Sequence, residues 1–219
     1  MKDAIRDLVV VIVGILAALW LEGWWQDIQD RKEEVVLLTG LREEFAANRA
    51  QLADHIETWK ALRASTDRAM AYMGRPVEPS EIKEAKKAFG GTLNMRFFDP
   101  RQGQLSSLIN SGKLSLIDDP SLRARIADWP GLVDDLDIER SIALHAFTDG
   151  WVKELGRYIA LSAESTFDDD DMEALNADRE IFNSLVFLGA NAGRLVSEGT
   201  LILETTDEII ALIDERLGN

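Results

Sequence analysis

The chain has 219 residues, a formal net charge of −15 at neutral pH and no cysteine. Residues 1–25 contribute a net charge of −1, so residues 26–219 carry −14. A domain this acidic repels phosphate backbones, which argues against nucleic-acid binding. The lack of cysteine excludes disulfides and thiolate metal sites. The length is sufficient for one domain with its own hydrophobic core.

The first predicted element is an apolar segment near the N-terminus. Fourteen residues, Leu8–Leu21, carry no charged or polar side chain. Lys2 and Arg6 precede this run, and Trp24 and Trp25 follow it, where an aromatic belt is expected at a membrane surface. Extended to Trp25, the segment reaches the ~20 residues that a bilayer-spanning helix needs. We interpret it as a retained anchor, because no small-residue cleavage site of a signal peptide follows the run.

The charges beside this anchor bear on its orientation. Lys2 and Arg6 lie on one side, whereas Arg31 and Lys32 are the nearest cations on the other, so the positive-inside count is close to a tie. Exporting one large acidic domain is the simpler arrangement. We therefore predict a single-pass protein of the bacterial inner membrane, with a cytoplasmic N-terminus and with residues 26–219 in the periplasm or outside the cell.

The predicted anchor also carries candidate contact residues. Gly14 and Ala18 form a small-x-x-x-small pair, to which Ala17 adds, and such faces let membrane helices approach closely. Glu22 is either an interfacial acid facing water or, in an oligomer, part of a carboxylate ring at one mouth. We expect contacts with the lipid bilayer and with a homo-oligomer or a membrane protein complex. The candidate interface residues are Gly14, Ala17, Ala18, Glu22, Trp24 and Trp25.

A second apolar pattern follows the anchor. No proline occurs between Glu22 and Met73, and the pattern steps by three and four residues, which predicts a helix continuous with the anchor and leaves open a bend at Gly40. The turn Gly74-Arg75-Pro76 ends it. The repeat comprises Leu38, Leu41, Phe45, Asn48, Leu52, His55, Trp59, Leu62, Thr66, Ala69 and Met73.

The middle of the chain predicts shorter elements. One helix spans Glu81–Phe89, and another runs from Asp99-Pro100 to Asn110-Ser111-Gly112. Asp118-Asp119-Pro120 predicts a third start, with an acidic cap and a proline in the first turn. Pro130-Gly131 is expected to end that helix.

The C-terminal part predicts two more long helices, Leu132–Leu161 and one that begins near Ile181, separated by a solvated break at Asp168–Asp171. The fold class is therefore all-α: an N-terminal transmembrane helix that continues into an elongated antiparallel helical bundle with a short-helix insert. The domains are 1–25, the anchor, and 26–219, the bundle. The stripe of the last helix comprises Ile181, Leu185, Leu188, Ala192, Leu195, Gly199, Ile202, Thr206, Ile209 and Ile213, widened by Phe182, Val196, Leu203, Ile210 and Leu217.

Two stretches carry a resemblance. VVVIVGILAALWLEGWWQDIQDRKEEVVLLTGLREEF and LSSLINSGKLSLIDDPSLRARIADW are similar to an uncharacterised family of bacterial single-span membrane proteins with a helical extracytoplasmic domain. The resemblance covers the first 45 residues and about 105–129. It implies the anchor and the helical fold, and it implies no activity and no catalytic residue.

The turn Asn110-Ser111-Gly112 lies within the second stretch. A helix cap explains these residues, with glycine in the left-handed position and Asp118 and Asp119 capping the next helix. The alternative is that Asn110, Ser111 and Gly112 form a loop that binds a partner.

Catalytic motifs are nearly absent from the sequence. His55 lies on an apolar repeat and His145 on the second long helix, and two histidines lack the ligand set that a zinc site needs. The Asp168–Asp171 run fails the calcium-loop pattern, because its sixth position is Glu173 and its twelfth is Arg179. We predict no cofactor, no metal and no enzymatic activity.

Three functions remain after these exclusions. The favoured one is a membrane-anchored helical scaffold or accessory subunit that self-associates or docks onto a larger membrane complex. The second is an ion-conducting oligomer of single spans with Glu22 at its mouth. The third is an extracytoplasmic sensory or ligand-binding bundle, which is weakened because about seven residues precede the apolar run and could not form an output domain.

Overall fold

A computed structural model describes the backbone of residues 2–159 and 169–218 and the side chains of residues 12–159 and 171–218. Helix makes up 83% of the structure, and the described residues contain no strand. The elements are α1 (Lys2–Met70), α2 (Ile82–Gly91), α3 (Gly103–Asn110), a 3₁₀ turn (Lys113–Leu116), α4 (Pro120–His145), a π-helical turn (Ala146–Val152), α5 (Lys153–Leu155), α6 (Asp169–Asn176) and α7 (Arg179–Leu217).

The three long helices α1, α4 and α7 form the bundle. Arg42 of α1 pairs with Asp214 near the end of α7, and Arg49 pairs with Asp207, two turns further along α1 and two turns further back in α7, so these helices are antiparallel. On the other side of α7, the indole Nε1 of Trp129 in α4 donates a 3.0 Å hydrogen bond to the hydroxyl of Thr206. The predicted all-helical bundle is thus confirmed.

The two predicted apolar repeats form the core of this bundle. In α1, every member from Leu38 to Ala69 is buried except His55, which is half-buried, while Met73 lies beyond the end of the helix. In α7, all ten residues of the stripe from Ile181 to Ile213 are buried. Phe182, expected to widen that stripe, is instead 42% exposed. The period of about 3.6 residues places each repeat on one face of its helix, which explains why both predictions hold.

The prediction that a helix ends at Pro130-Gly131 is wrong. Pro130 lies inside α4, which runs from Pro120 to His145, so the helix predicted to begin at Leu132 is the second half of α4. Proline removes the hydrogen bond to the carbonyl of Ile126. Burial of Trp129 and of the other apolar side chains on both sides of the proline outweighs that loss. The predicted end of that helix at Leu161 lies outside the described residues.

The structure also differs from the prediction of a solvated break at Asp168–Asp171. Asp169, Asp170 and Asp171 are the first residues of α6 and not a break between helices, while Asp168 lies outside the described residues. Acidic side chains are favoured in the first turn of a helix, because the unpaired N–H groups and the helix dipole attract negative charge there.

Side chains of α1 hold the short-helix insert. The carboxylate of Glu44 accepts hydrogen bonds from the backbone N–H groups of Gln104 (2.8 Å) and Leu105 (3.0 Å), and so caps the start of α3 from another helix. The buried amide of Asn48 donates to the carbonyl of Arg101 (2.7 Å) and accepts from its N–H (2.8 Å). These bonds fix α3 and the segment that leads into it beside the middle of α1.

Candidate functional site

The N-terminal part of α1 extends beyond the bundle. Every side chain from Ile12 to Asp27 is exposed, and the first buried residue among the described side chains of α1 is Glu34. A Cβ atom added at Gly14 or Gly23 would meet no atom within 4 Å. We call residues 12–33 the stalk. No described element packs around its first sixteen residues.

The stalk exposes large apolar side chains on all sides. Nine of them are between 47% and 71% exposed, and the values hardly differ from one side of the helix to the other. A helix that is apolar all round is normally buried, either inside a protein or inside a bilayer. These residues are Ile12, Val13, Ile15, Leu16, Leu19, Trp20, Leu21, Trp24 and Trp25.

The structure places the predicted interface residues on this stalk. Gly14, Ala17 and Ala18 are exposed and touch no other described element, and Glu22 lies with Trp24 and Trp25 one turn beyond them. A surface depression of about 400 Å³ is lined by Ala18, Leu21, Glu22, Trp24 and Trp25. Four of the six predicted residues, Ala18, Glu22, Trp24 and Trp25, therefore lie within two turns of one another.

Within the part of the chain whose side chains are described, which begins at Ile12, no helix has a stretch both long and apolar enough to cross a bilayer. The side chains of Lys2 and Arg6 and the first part of the apolar run, Leu8–Val11, lie outside that part. The transmembrane anchor stays a prediction. Helix α1 passes unbroken through residue 25, so the predicted domain boundary falls inside one helix.

A buried carboxylate lies where the stalk enters the bundle. Glu34 is only 2% exposed, and Arg216 of α7 donates to both its oxygens, from Nε to Oε1 and from Nη2 to Oε2, each at 3.0 Å. Arg31 donates to Oε2 at 2.9 Å, and the backbone N–H of Asp118 donates to Oε1 at 3.1 Å. We call Arg31, Glu34, Asp118 and Arg216 the base cluster.

The base cluster keeps Glu34 ionised. Burial by itself raises the pKa of Glu34. The hydrogen bonds from Arg216 and from the N–H of Asp118, together with the positive charges of Arg216 and Arg31, lower the pKa by more than burial raises it. The pKa of Glu34 therefore lies below its ordinary value. The same contacts raise the pKa of Arg216. Three separate parts of the chain therefore meet at one charged centre directly above the stalk.

The base cluster was not foreseen from the sequence, although a signal existed. Glu34 lies four residues before Leu38, so it continues the buried repeat of α1 by one step. Arg216 lies three residues after Ile213 and continues the stripe of α7 in the same way. Opposite charges that extend two buried stripes of antiparallel helices would have predicted a contact between them.

The turn Asn110-Ser111-Gly112 lies next to this cluster. Helix α3 ends at Asn110, Gly112 has a φ of +70° in the left-handed region, and Asp119 caps α4 by accepting from the N–H of Ser121 at 2.7 Å. The predicted left-handed Gly112 and the predicted cap at Asp119 are thus confirmed. Asp118, which was also expected to cap this helix, instead accepts a hydrogen bond from Arg216. Lys113, directly after the turn, forms an ion pair with Glu33 of the stalk. A binding role for the exposed residues Asn110, Ser111 and Gly112 stays a prediction.

The two histidines lie on different helices, His55 on α1 and His145 at the end of α4. The ring nitrogen Nδ1 of His55 lies 2.7 Å from the carbonyl of Gln51, and its ring packs edge-on against Trp59 and Phe98. His145 is 84% exposed at the end of α4. Among the described residues, no group of three or more potential ligands could hold a metal ion.

A small cleft opens in the middle of the bundle. It has a volume of about 170 Å³, with Trp59 and Phe98 among its lining residues and acidic side chains such as Asp99 and Asp134 around it. Arg140 also lines the cleft and forms an ion pair with Asp137, another lining residue. Part of the negative charge of the cleft is therefore neutralised by one of its own side chains.

Comparisons of the chain with protein-family models, with curated proteins and with solved structures find no match. The resemblance to a family of single-span membrane proteins therefore stays an expectation.

Proposed function

We propose that this protein is a membrane-anchored helical scaffold or accessory subunit. Its first 25 residues cross a bacterial inner membrane, and the bundle stands on the other side, where it self-associates or docks onto a larger membrane complex. The observation that carries the proposal is the stalk, whose apolar side chains from Ile12 to Trp25 are exposed on every side. An apolar surface of this extent in water is costly, at roughly 25 cal/mol for each Å².

The stalk chemistry supports a bilayer as the covering environment. Burying an apolar helix on all sides requires either several partner helices or lipid. Trp20, Trp24 and Trp25 stand near the end of the apolar run, where indole rings prefer a membrane surface. Apart from Glu22, which stands between Trp20 and Trp24, polar side chains begin directly after them, at Gln26 and Asp27, so the change from apolar to polar follows the order expected across an interface.

The base cluster supports a mechanical role for the bundle. It ties the stalk to α7 and to the start of α4 through hydrogen bonds between charged groups, which are about twice as strong as neutral ones. A pull or tilt applied to the stalk is therefore passed to two other helices. This coupling suits a subunit that holds a position relative to the membrane.

The proposal is tested by extraction of the full-length protein from bacterial membranes with alkaline carbonate. We expect the wild-type chain to stay in the membrane pellet and the double variant Leu16→Asp/Leu19→Asp to move to the supernatant, because a charged side chain at the centre of a bilayer costs ~2.5–3.5 kcal/mol. The control Ile138→Asp/Ile142→Asp changes two exposed residues of α4 and should stay in the pellet. Recovery of the wild type in the supernatant would refute the anchor.

A further inference from the structure

A second stripe runs along α1, and the bundle does not use it. Its positions alternate steps of four and three residues, as in the heptad repeat of a coiled coil. It extends over 26 residues of one unbroken helix, or about 38 Å at 1.5 Å per residue. The stripe, which we call the outer seam, comprises Gly14, Ala18, Leu21, Trp25, Ile28, Lys32, Val35 and Thr39.

The outer seam lies away from the bundle. At 100° per residue, its mean direction is ~140° round the helix from the face formed by Glu34, Leu38 and Leu41, on which α7 packs. The bundle therefore leaves the seam open. The two faces overlap along the chain between Glu34 and Thr39, so a helix on the seam would pack on α1 opposite the base cluster.

The side chains of the seam are available for contact. Leu21 is 56% exposed, Trp25 59% and Val35 41%, while Ile28 is half-buried. Val36, beside Val35 on the flank of the seam, is 71% exposed and is the most exposed valine described. The apolar character thus continues at least ten residues past the tryptophans, into a region that would lie in water if the anchor ends at Trp25.

We infer that the outer seam pairs with the same seam of a second copy of this chain, as a parallel two-stranded coiled coil. The inference rests on the proposed membrane anchor, which gives all copies the same orientation and confines them to one plane. In that arrangement each residue meets its own counterpart, so Trp25, Ile28 and Val35 form apolar layers. Lys32 is the charged residue of the repeat, and a single lysine at such a position favours one register at a cost in stability.

Charge also favours a second copy on this side of α1. Each bundle carries a net charge of about −14, since residues 1–25 contribute −1 of the total of −15. Two such bundles repel one another. Pairing through the outer seam places both bundles on the outside of the helix pair, far from each other, whereas pairing through any face of the bundle would bring them together. The small residues Gly14 and Ala18 continue the seam into the apolar run and allow close approach there.

Single-cysteine cross-linking of the full-length protein in its membranes tests the inference. The chain has no cysteine, so Ile28→Cys, Val35→Cys and Asp27→Cys each carry one thiol. Asp27 is one residue from Ile28 but lies on the side of the bundle, which makes it a matched control at the same height. With a mild oxidant, we expect Ile28→Cys and Val35→Cys to form a dimer of twice 24.5 kDa at least ten times faster than Asp27→Cys.

A second variant separates pairing from random collision. In Ile28→Cys/Val35→Asp, two carboxylates face each other across the seam, and we expect cross-linking to slow about tenfold, which corresponds to 1.4 kcal/mol. Equal rates at all three positions, no dimer at Ile28 and Val35, or a product of another mass would overturn the inference while leaving the anchor intact. Release of the protein by alkaline carbonate would instead refute the anchor. Cross-linking of Ile28→Cys in solution would then test pairing through the outer seam independently of the anchor.

Discussion

The carboxylate of Glu34 and the guanidinium of Arg216 form a two-point ion pair between residues 182 positions apart in the chain, with both hydrogen bonds at 3.0 Å. The pair closes the bundle at the end that bears the stalk. It joins Glu34, the first buried position among the side chains that the structure describes in α1, to the last turn of α7. Because Glu34 is almost fully buried, loss of its partner would leave an uncompensated charge inside the protein.

Removing one partner of this pair should be costly. In Arg216→Ala, the Glu34 carboxylate stays buried without its main partner, and we expect a loss of about 3 kcal/mol in the free energy of unfolding, near the lower end for buried pairs because a quarter of Arg216 is exposed. Urea unfolding of the purified protein in detergent measures this loss. The control Arg49→Ala breaks the exposed pair with Asp207 and should cost at most ~1 kcal/mol. Equal losses of unfolding free energy in the two variants would show that the base cluster stabilises the fold no more than an exposed ion pair does.

The same carboxylate should make stability depend on pH. The pKa of folded Glu34 lies below its ordinary value of 4.5, so its contribution is fully present above pH 4.5 and is lost as the pH falls through the folded pKa. Asp178 and Asp214 also have lowered pKa values and act in the same direction. We therefore expect Glu34→Gln to be less stable than the wild type at pH 7 but to lose less stability between pH 7 and pH 3. Parallel curves for the two proteins would contradict this assignment.

Two buried asparagines should respond in opposite ways to an apolar substitution. Neither amide atom of Asn176, which is 4% exposed, has a hydrogen-bond partner among the described residues. Asn176→Leu removes polar atoms that are already unpaired, and we expect an unchanged or higher melting temperature. Asn48→Leu breaks two good bonds to the backbone of Arg101 and should lower stability by about 2–3 kcal/mol. A large loss in Asn176→Leu would show that its amide has a partner.

Alanine substitutions at two glycines of the bundle should change the stability of the protein in opposite directions. A Cβ at Gly199 of α7 would lie 2.7 Å from Cζ3 of the buried Trp59, so Gly199→Ala should cost about 1–3 kcal/mol through overpacking. A Cβ at Gly131 of α4 meets nothing within 4 Å, and Gly131→Ala should stabilise the protein by up to ~1 kcal/mol through helix propensity. Thermal unfolding followed by circular dichroism compares the two. Stabilisation by Gly199→Ala would contradict the close contact of α1 with α7.

The proposed orientation predicts which residues a membrane-impermeant maleimide reaches. Phe187 is 64% exposed on α7, so Phe187→Cys should be labelled in whole bacteria once their outer layer is made permeable. Asp3→Cys, on the other side of the predicted anchor, should be labelled only after the inner membrane is broken. The reverse result would place the bundle in the cytoplasm, as the near tie in flanking charges allows.

Local patterns in the sequence were enough to predict the helices and most of their buried faces. Leu38, Leu41 and Phe45 in α1 and Ile202, Ile209 and Ile213 in α7 follow the helical period, which depends only on spacing along the chain. The cap at Asp119 and the left-handed Gly112 were equally local, because each rests on one residue type at one backbone position. The apolar run from Leu8 to Leu21 could be identified in the same way, and the exposure of its described part, from Ile12 to Leu21, agrees with a segment that the bundle does not cover.

Tertiary contacts decided what local patterns could not. Pro130 signals the end of a helix, yet α4 continues through it, because the burial of Ile126 and Trp129 is a property of the bundle and is invisible in a short window. The partnership of Glu34 with Arg216 joins distant parts of the chain, and only the register of antiparallel helices brings them together. The sequence thus determined which faces are apolar, whereas the packing decided which of those faces are covered and left the stalk and its outer seam open.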